Sequence, residues 1–160
     1  MALTQNQNQF AQTPLLGQVD MLVNPSILSA KIYISSVATK LQVGQGFKLV
    51  DQAGPEITVD QVANDSELVF GVSVYNPRKQ TYSPGDTIEL ALEGSIVYLE
   101  TSAAIARGAK VQLDPTGPTI STLNDYPNNY MIGICLDKPT ASGQLARVLI
   151  KPADGNLSAY

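Results

Sequence analysis

The stretch Gly85–Gln112, GDTIELALEGSIVYLETSAAIARGAKVQ, carries the strongest strand pattern in the chain. Ile88, Leu90 and Leu92 alternate with glutamate and alanine residues, which is the period-2 pattern of a strand with one buried face. Beyond Gly94 aliphatic residues occupy both faces, and a glycine inside a strand often marks a bulge or a bend. We therefore predict one long strand that bends at Gly94 and is covered on both faces beyond it.

The same stretch contains a candidate for a short helix. Thr101 or Ser102 is a suitable N-cap for a single turn over Ala103–Ala106. Arg107 would then place a cation at the end of the turn, and Gly108 could supply the left-handed residue that stops it. Ser102 could instead be a nucleophile, but the chain has no histidine to activate it, so we prefer the helix cap.

The composition limits the function classes. The chain has 160 residues, enough for one domain with a hydrophobic core or for two very small lobes. Its formal net charge is -4 and only 15% of its residues are charged, so we expect no nucleic-acid binding. A neutral surface rich in Asn, Gln, Ser and Thr suits contact with other proteins, because few ions must lose their hydration.

The residues that usually carry chemistry are scarce. The chain has no histidine, and its single cysteine, Cys135, lies in the apolar run MIGICL, where a buried inert thiol is expected. The carboxylates are scattered without metal-ligand spacing. We expect no enzyme activity, no metal and no cofactor. No apolar run is long enough to span a membrane and no secretory signal is evident, so we expect no membrane partner.

Residues 1–26 have the composition of an extended N-terminal arm. The segment is rich in Gln and Asn, has no periodicity, and is interrupted by Pro14 and Pro25. Alone it cannot bury enough surface to offset its ordering entropy. It is either a flexible tail or a segment that orders on a neighbouring subunit, for example by adding a strand to a sheet edge. In the second case its apolar anchors would be Leu3, Phe10, Leu15 and Leu16.

Short glycine-containing segments recur about 60 residues apart. Gly46 has a counterpart in Gly108, and a Gly-Pro pair recurs from position 54 to position 117. Phe70-Gly71-Val72 is repeated as Ile132-Gly133-Ile134. The alternative is chance similarity, since each matched element is short.

Each repeat has the order strand, turn, strand, loop, glycine-containing strand, loop, strand, which is typical of barrels and sandwiches. We predict an all-β fold: a compact β-barrel or sandwich-like domain over residues 27–151, built from two similar meander units at about 44–92 and 106–150, with one short helix. The arm at 1–26 precedes this domain and a C-terminal tail at 152–160 follows it.

One loop carries the only local pair of basic residues. Residues 76–85 form a long polar loop in the first unit, with Arg78 and Lys79 near its tip. These two cations are either a solvated loop tip or a contact for a partner.

The repeated motifs resemble those of the capsid decoration, or cement, proteins of tailed bacteriophages. The resemblance covers about residues 44–150. The motifs that carry it are Phe70-Gly71-Val72, Gly85-Asp86-Thr87-Ile88, Glu93-Gly94-Ser95-Ile96-Val97, the run from Ala104 to Val111, and Ile132-Gly133-Ile134-Cys135.

This resemblance implies a structural protein on the outer surface of an icosahedral capsid. Such a protein would bind the major capsid protein, commonly as a homotrimer near local three-fold positions, and would bridge neighbouring subunits against the pressure of packaged DNA. The family offers no catalytic residues.

A different interpretation is a carbohydrate- or host-surface-binding β module of a tail or fibre. Sugar-binding clefts usually stack aromatic rings, yet the chain has no Trp, and its seven Tyr and three Phe residues are scattered. A third and weaker alternative is a hydrolase that uses carboxylates alone.

Overall fold

The computed structural model describes residues 14–20, 24–36, 38, 41–63, 67–114, 117–123 and 131–151. These residues form twelve strands and no helix. The strands are β1 (Ile27–Ile32), β2 (Leu41–Gln42), β3 (Gly46–Leu49), β4 (Thr58–Gln61), β5 (Gly71–Ser73), β6 (Thr81–Tyr82), β7 (Thr87–Ala91), β8 (Ile96–Thr101), β9 (Lys110–Leu113), β10 (Thr119–Thr122), β11 (Met131–Cys135) and β12 (Leu145–Ile150).

Ten of these strands form two closed barrels of five strands each. The first barrel has the order β1-β4-β3-β5-β7, and the second has the matching order β8-β10-β9-β11-β12. β1 runs parallel to β4 and β8 runs parallel to β10, whereas all other barrel pairs are antiparallel. The prediction of an all-β fold with two similar units is confirmed. Each barrel also includes one strand that precedes the repeated segment.

The prediction of one long strand bent at Gly94 was wrong. β7 closes the first barrel and β8 opens the second, and Gly94 lies in the turn between them with φ 88°. The Gly94 N–H donates to the Ile150 carbonyl at 2.9 Å, and the Ile150 N–H donates to the Ser95 carbonyl at 2.8 Å. β7 buries the even-numbered Ile88 and Leu90, whereas β8 buries the odd-numbered Val97 and Leu99. Because apolar residues occupy both faces beyond Gly94, the pattern does not reveal this change of buried face or the change of barrel.

The predicted short helix was also wrong. Thr101 is the last residue of β8, and its hydroxyl donates to the Ala141 carbonyl at 3.0 Å. Ser102 donates through both its N–H and its hydroxyl to the Ile120 carbonyl, so its oxygen caps no helix. Ile105 is buried, and its N–H donates to the Pro139 carbonyl at 3.0 Å. Long-range hydrogen bonds therefore hold these backbone groups in an irregular connection, in place of the local bonds of a helical turn.

The repeat holds in the barrels, but one of its sequence matches was wrong. Phe47 pairs with Gly71 in the first barrel, and Val111 pairs with Gly133 in the second, so the two strand glycines are equivalent. Gly46 pairs with Val72 and Lys110 pairs with Ile134, so Gly46 matches Lys110 and not Gly108. A difference of two residues keeps every side chain on the same face, which is why the pattern alone did not detect it.

The two barrels share part of their hydrophobic core. One cluster fills the first barrel around Phe47, Ile32 and Val59, all of which are fully buried. The other cluster fills the second barrel and also contains residues of the first half of the chain, which are Val62, Val69, Val72, Val74 and Ala91. At this junction a Cβ atom added to Gly46 would lie 2.8 Å from Cδ1 of Leu113. The core of the second barrel thus extends into the first barrel, and the two barrels pack closely at this junction.

Candidate functional site

Residues 14–20, here called the clasp segment, pair with an edge of the second barrel. Val19 forms an antiparallel bridge with Val97 of β8. The Gly17 N–H donates to the Tyr98 carbonyl at 2.7 Å, and the Tyr98 N–H donates to the Gln18 carbonyl at 2.9 Å. The Asp20 N–H completes the ladder by donating to the Ile96 carbonyl at 2.8 Å. Part of the segment that the sequence assigned to an arm thus lies as an additional strand on its own barrel.

The clasp segment also touches the first barrel. The Tyr75 N–H, just beyond β5, donates to the Gly17 carbonyl at 2.8 Å. Gly17 has φ 74°, and a Cβ atom there would lie 3.0 Å from the Tyr75 nitrogen, so this position favours glycine. Leu16 packs against both hydrophobic clusters. The segment therefore connects the two barrels at a point where each contributes backbone hydrogen bonds.

The four residues predicted as arm anchors differ in their surroundings. Leu16 is held between the barrels, whereas Leu15 is 45% exposed and accessible to a partner. Leu3 and Phe10 lie outside the described residues, so their role stays a prediction. The boundary of the arm after residue 26 also stays a prediction; the contacts of the clasp segment favour placing it nearer residue 13.

The basic loop holds one of its two cations in an internal contact. Lys79 Nζ lies 2.6 Å from Oδ2 of Asp86 and 5.6 Å from the centre of the Tyr82 ring. The hydrogen bond from Lys79, with a second from the Ser83 N–H, lowers the pKa of Asp86. Arg78 is exposed at the loop surface, and its backbone N–H donates to the Asn76 side chain at 2.9 Å. Of the two predicted contact residues, Arg78 is the one whose charge faces solvent.

The corresponding loop of the second barrel is fixed by an ion pair that the sequence analysis missed. Arg147 of β12 donates from Nη2 to Oδ1 of Asp137 at 2.7 Å and from Nε to Oδ2 at 3.1 Å. The Arg147 N–H also donates to Asp137 Oδ2 at 2.9 Å. These hydrogen bonds lower the pKa of Asp137 and raise that of Arg147. Asp137 and Arg147 are ten residues apart in sequence, and only the turn between them brings the guanidinium group and the carboxylate together.

Exposed apolar side chains are concentrated on the first barrel. Among the described residues, the large hydrophobic side chains that remain exposed are Leu15 of the clasp segment and then Ile27, Ile34, Leu49, Ile57 and Leu68. The last five all belong to the first barrel or its loops, and Ile34 is 70% exposed. Each of these side chains offers apolar area for a contact with another protein.

The described residues offer no assembled reactive centre. Cys135 is fully buried, and burial raises the pKa of its thiol. No three His, Cys, Asp or Glu side chains in the described ranges are grouped to hold a metal ion. The Ser102 hydroxyl is engaged with the Ile120 carbonyl at 3.1 Å. The structure directs attention to surfaces and edges as the functional features. In the part of the chain that the structure describes, no helix could cross a bilayer.

One solved structure with a similar fold is the N base of the head fibre gp8.5 of bacteriophage phi29. It shares 14% sequence identity with this chain at a TM-score of 0.52, covering 79% of this chain and 94% of the other. No curated protein matches the chain in sequence.

The sequence model of the family described as phage cement protein matches residues 33–151, which include the whole second barrel and every strand of the first barrel except β1. We conclude that this chain belongs to the phage cement protein family and is a structural protein of the phage virion, located on the outer surface of the capsid.

Proposed function

We propose that this protein binds the outside of the capsid as a homotrimer, bridges neighbouring subunits of the major capsid protein, and thereby stabilises the shell. The observation that carries this proposal is the shared core of the two barrels in a member of the cement family. A bridging protein must transmit force between two contacts without deforming, and closely packed interiors have low compressibility.

The clasp segment adds a second connection between the barrels. It pairs with β8 of the second barrel and accepts a hydrogen bond from Tyr75 beside the first. Pulling the barrels apart would therefore break the Tyr75–Gly17 hydrogen bond as well as apolar contacts. This arrangement suits a protein that has one attachment on each of two capsid subunits.

The accessible residues give the proposal its contact points. The exposed apolar side chains of the first barrel offer area that gains free energy when it is buried. Leu15 and Arg78 are also accessible in the structure, and Leu3 and Phe10 extend the contact into the arm in this proposal. In a homotrimer these contacts occur three times, so modest individual affinities combine through effective concentration.

The test uses expanded empty heads of the phage that encodes this chain, purified without it. We expect the full-length protein to sediment with the heads at a fixed stoichiometry and to raise the temperature at which they disassemble. Electron cryomicroscopy of the decorated heads should then show each trimer in contact with more than one major capsid subunit. Binding within a single subunit, or decoration without any gain in head stability, would overturn the bridging role.

Two further measurements address the arm and the oligomer. Phe10→Ala in the full-length chain should weaken head binding by about tenfold if this aromatic side chain is an anchor. Lys151→Ala, which changes an exposed side chain beyond β12, is the matched control. Light scattering should give the mass of a trimer at micromolar concentration. A monomer there would contradict the trimer, and glycan binding without head binding would favour the tail-module alternative.

A further inference from the structure

The first strand of each barrel has one edge that its barrel neighbours cover only in part. In the second barrel β8 pairs with β12 along its length, whereas its pairing with β10 begins only at Glu100. The clasp segment covers the part of this edge that precedes Glu100, through the backbone groups of Tyr98 and Ile96. The second barrel therefore has no uncovered edge at this position.

The equivalent edge of the first barrel is β1. It pairs with β7 from Ile27 to Lys31, and its parallel pairing with β4 begins only at Lys31. Lys31 pairs with Thr58 as Glu100 pairs with Thr119, so Ser29 occupies the position of Tyr98 and Leu28 that of Val97. The two strands present the same backbone edge at matching positions.

The direction of the backbone groups shows that this edge is open. The Lys31 and Tyr33 N–H groups donate towards β4, to the carbonyls of Ile57 and Val59. The intervening Ile32 N–H donates the other way, to Asp86 beside β7. Because backbone groups alternate along a strand, those of Ser29 point to the β4 side. No strand among the described residues pairs with Ser29 on that side.

A groove lies at this edge. Its volume is about 550 Å³. It is lined by Ser29, Ala30 and Lys31 of β1, by Pro55, Glu56 and Ile57 on the β4 side, and by Gly85 and Thr87 on the β7 side. The two charged residues that line the groove, Lys31 and Glu56, form an ion pair with Nζ and Oε2 3.3 Å apart, so the lining carries no net charge. Ile57, which is 40% exposed, gives the groove an apolar side chain, and Ile27, earlier on β1, is 42% exposed. These features suit an uncharged extended segment with an aliphatic residue at its centre.

We propose that the open edge of β1 binds an extended segment of another capsid polypeptide by antiparallel strand addition, an inference that rests on the proposed function. The added strand repeats on the first barrel what the clasp segment does on the second, with an aliphatic residue opposite Leu28 where Val19 lies opposite Val97. Among the described residues there is one clasp segment, which pairs with β8, and none that pairs with the matching edge of β1. A second copy of the chain has already used its own clasp segment on its own β8, which favours a different polypeptide as the donor.

The test compares two substitutions at Ser29 in the full-length chain. Ser29→Pro removes the N–H that points into the groove, and proline is tolerated where a strand N–H faces solvent. Ser29→Ala removes only the hydroxyl and keeps the N–H. We expect Ser29→Pro to weaken binding to cement-free heads by at least about tenfold, and Ser29→Ala to bind as the unchanged protein does. Equal binding by both variants overturns the edge proposal while leaving the proposed function intact. If the unchanged protein does not bind heads, both proposals fail.

Amide hydrogen exchange on the unchanged protein gives a readout that does not depend on how the proline variant folds. The Ser29 amide should exchange rapidly in the free protein and slowly on heads, whereas the Tyr98 amide, already bonded to Gln18, should be protected in both. Slow exchange at Ser29 in the free protein would show that this chain or a second copy covers the edge, and would overturn the proposal. Rapid exchange on decorated heads would overturn it as well.

Discussion

The two barrels share one strand order but differ in their surroundings. In the second barrel the clasp segment covers the first strand, β8. Among the described residues, the large apolar side chains of the second barrel are buried or half-buried. The first strand of the first barrel has an edge that no other strand of the described residues covers before Lys31, and five exposed aliphatic side chains lie on that barrel or its loops. Since both barrels close with five strands, closure does not require the additional strand. The clasp segment therefore serves to join the barrels, and the first barrel retains the surface that suits a partner.

The largest expected effect comes from a glycine where two strand backbones approach closely. These strands are β5 and β7 in the first barrel and β11 and β12 in the second. A Cβ atom at Gly133 would lie 1.9 Å from the Leu149 carbonyl oxygen, whereas one at the equivalent Gly71 would lie 3.0 Å from that of Ala91. Gly133→Ala should prevent folding or lower the free energy of unfolding by about 4 kcal/mol. Gly71→Ala should cost about 1–2 kcal/mol. Urea unfolding measures both, and equal losses would show that the barrels pack alike at this position.

The next effect concerns the connection between the barrels. Gly17→Ala forces a side chain into a left-handed conformation against the Tyr75 backbone, and we expect a loss of about 1–3 kcal/mol. The Tyr75 and Tyr98 amides should exchange faster in this variant. Gly117→Ala is the control, because its added Cβ would meet no atom within 4 Å and its φ is not positive. Unchanged exchange at both tyrosines would mean that the clasp segment does not couple the barrels.

A smaller, pH-dependent effect on the free energy of unfolding is expected from the ion pairs Lys79–Asp86 and Arg147–Asp137, one in each barrel. The hydrogen bonds from Arg147 lower the pKa of Asp137 in the folded protein. Their contribution is therefore complete above the unfolded carboxyl pKa of about 4 and is lost as the pH falls through the lowered folded pKa. Both side chains are partly exposed, at 30% and 40%, so Asp137→Asn should cost only about 1 kcal/mol at pH 7.

The difference between Asp137→Asn and the unchanged protein should shrink steadily in unfolding experiments below pH 4. Asp86, whose pKa is lowered mainly by the hydrogen bond from Lys79, receives one side-chain hydrogen bond where Asp137 receives a bidentate contact from Arg147. Asp86→Asn should follow the same pH trend with a smaller amplitude. A constant difference from pH 7 to pH 2 would contradict an electrostatic role for the Asp137–Arg147 pair.

The smallest expected effect separates the two cations of the basic loop. Arg78→Ala should leave the unfolding midpoint unchanged, since in the described structure its side chain makes no ion pair, and should weaken head binding about threefold. Lys79→Ala should instead lower the unfolding midpoint slightly, because it removes the contacts of this side chain with Asp86 and Tyr82. The opposite pattern, with Arg78 important for stability and not for binding, would contradict this assignment.

Several features were predictable from the residues because they depend on local pattern. The alternation at Ile88 and Leu90 correctly indicated a strand, and both residues are buried in the first barrel. The match between Gly71 and Gly133 correctly indicated a repeated unit, since a strand glycine marks a close approach of backbones. The resemblance to cement proteins was confirmed by the family match over residues 33–151.

The errors arose where the outcome depends on distant partners. The short turn at Ala103–Ala106 had a suitable cap and stop, yet bonds from Ser102 to Ile120 and from Ile105 to Pro139 decide its backbone. The clasp segment has no strand pattern of its own, because its ladder with β8 is made by backbone groups that every residue type carries. The Arg147–Asp137 pair left no signal either, since two charges in a sequence do not show whether a turn aligns them.

The sequence by itself determined which faces are apolar, where the chain turns, and that the pattern occurs twice. Those properties follow from side-chain hydrophobicity and from the special backbones of glycine and proline, which act over a few residues. The tertiary structure decided that β8 belongs to the second barrel, that the clasp segment covers its edge, and that no strand of the described residues covers the matching edge of β1. These are choices of partner between chemically identical backbone groups, so only the packing of the whole chain can make them.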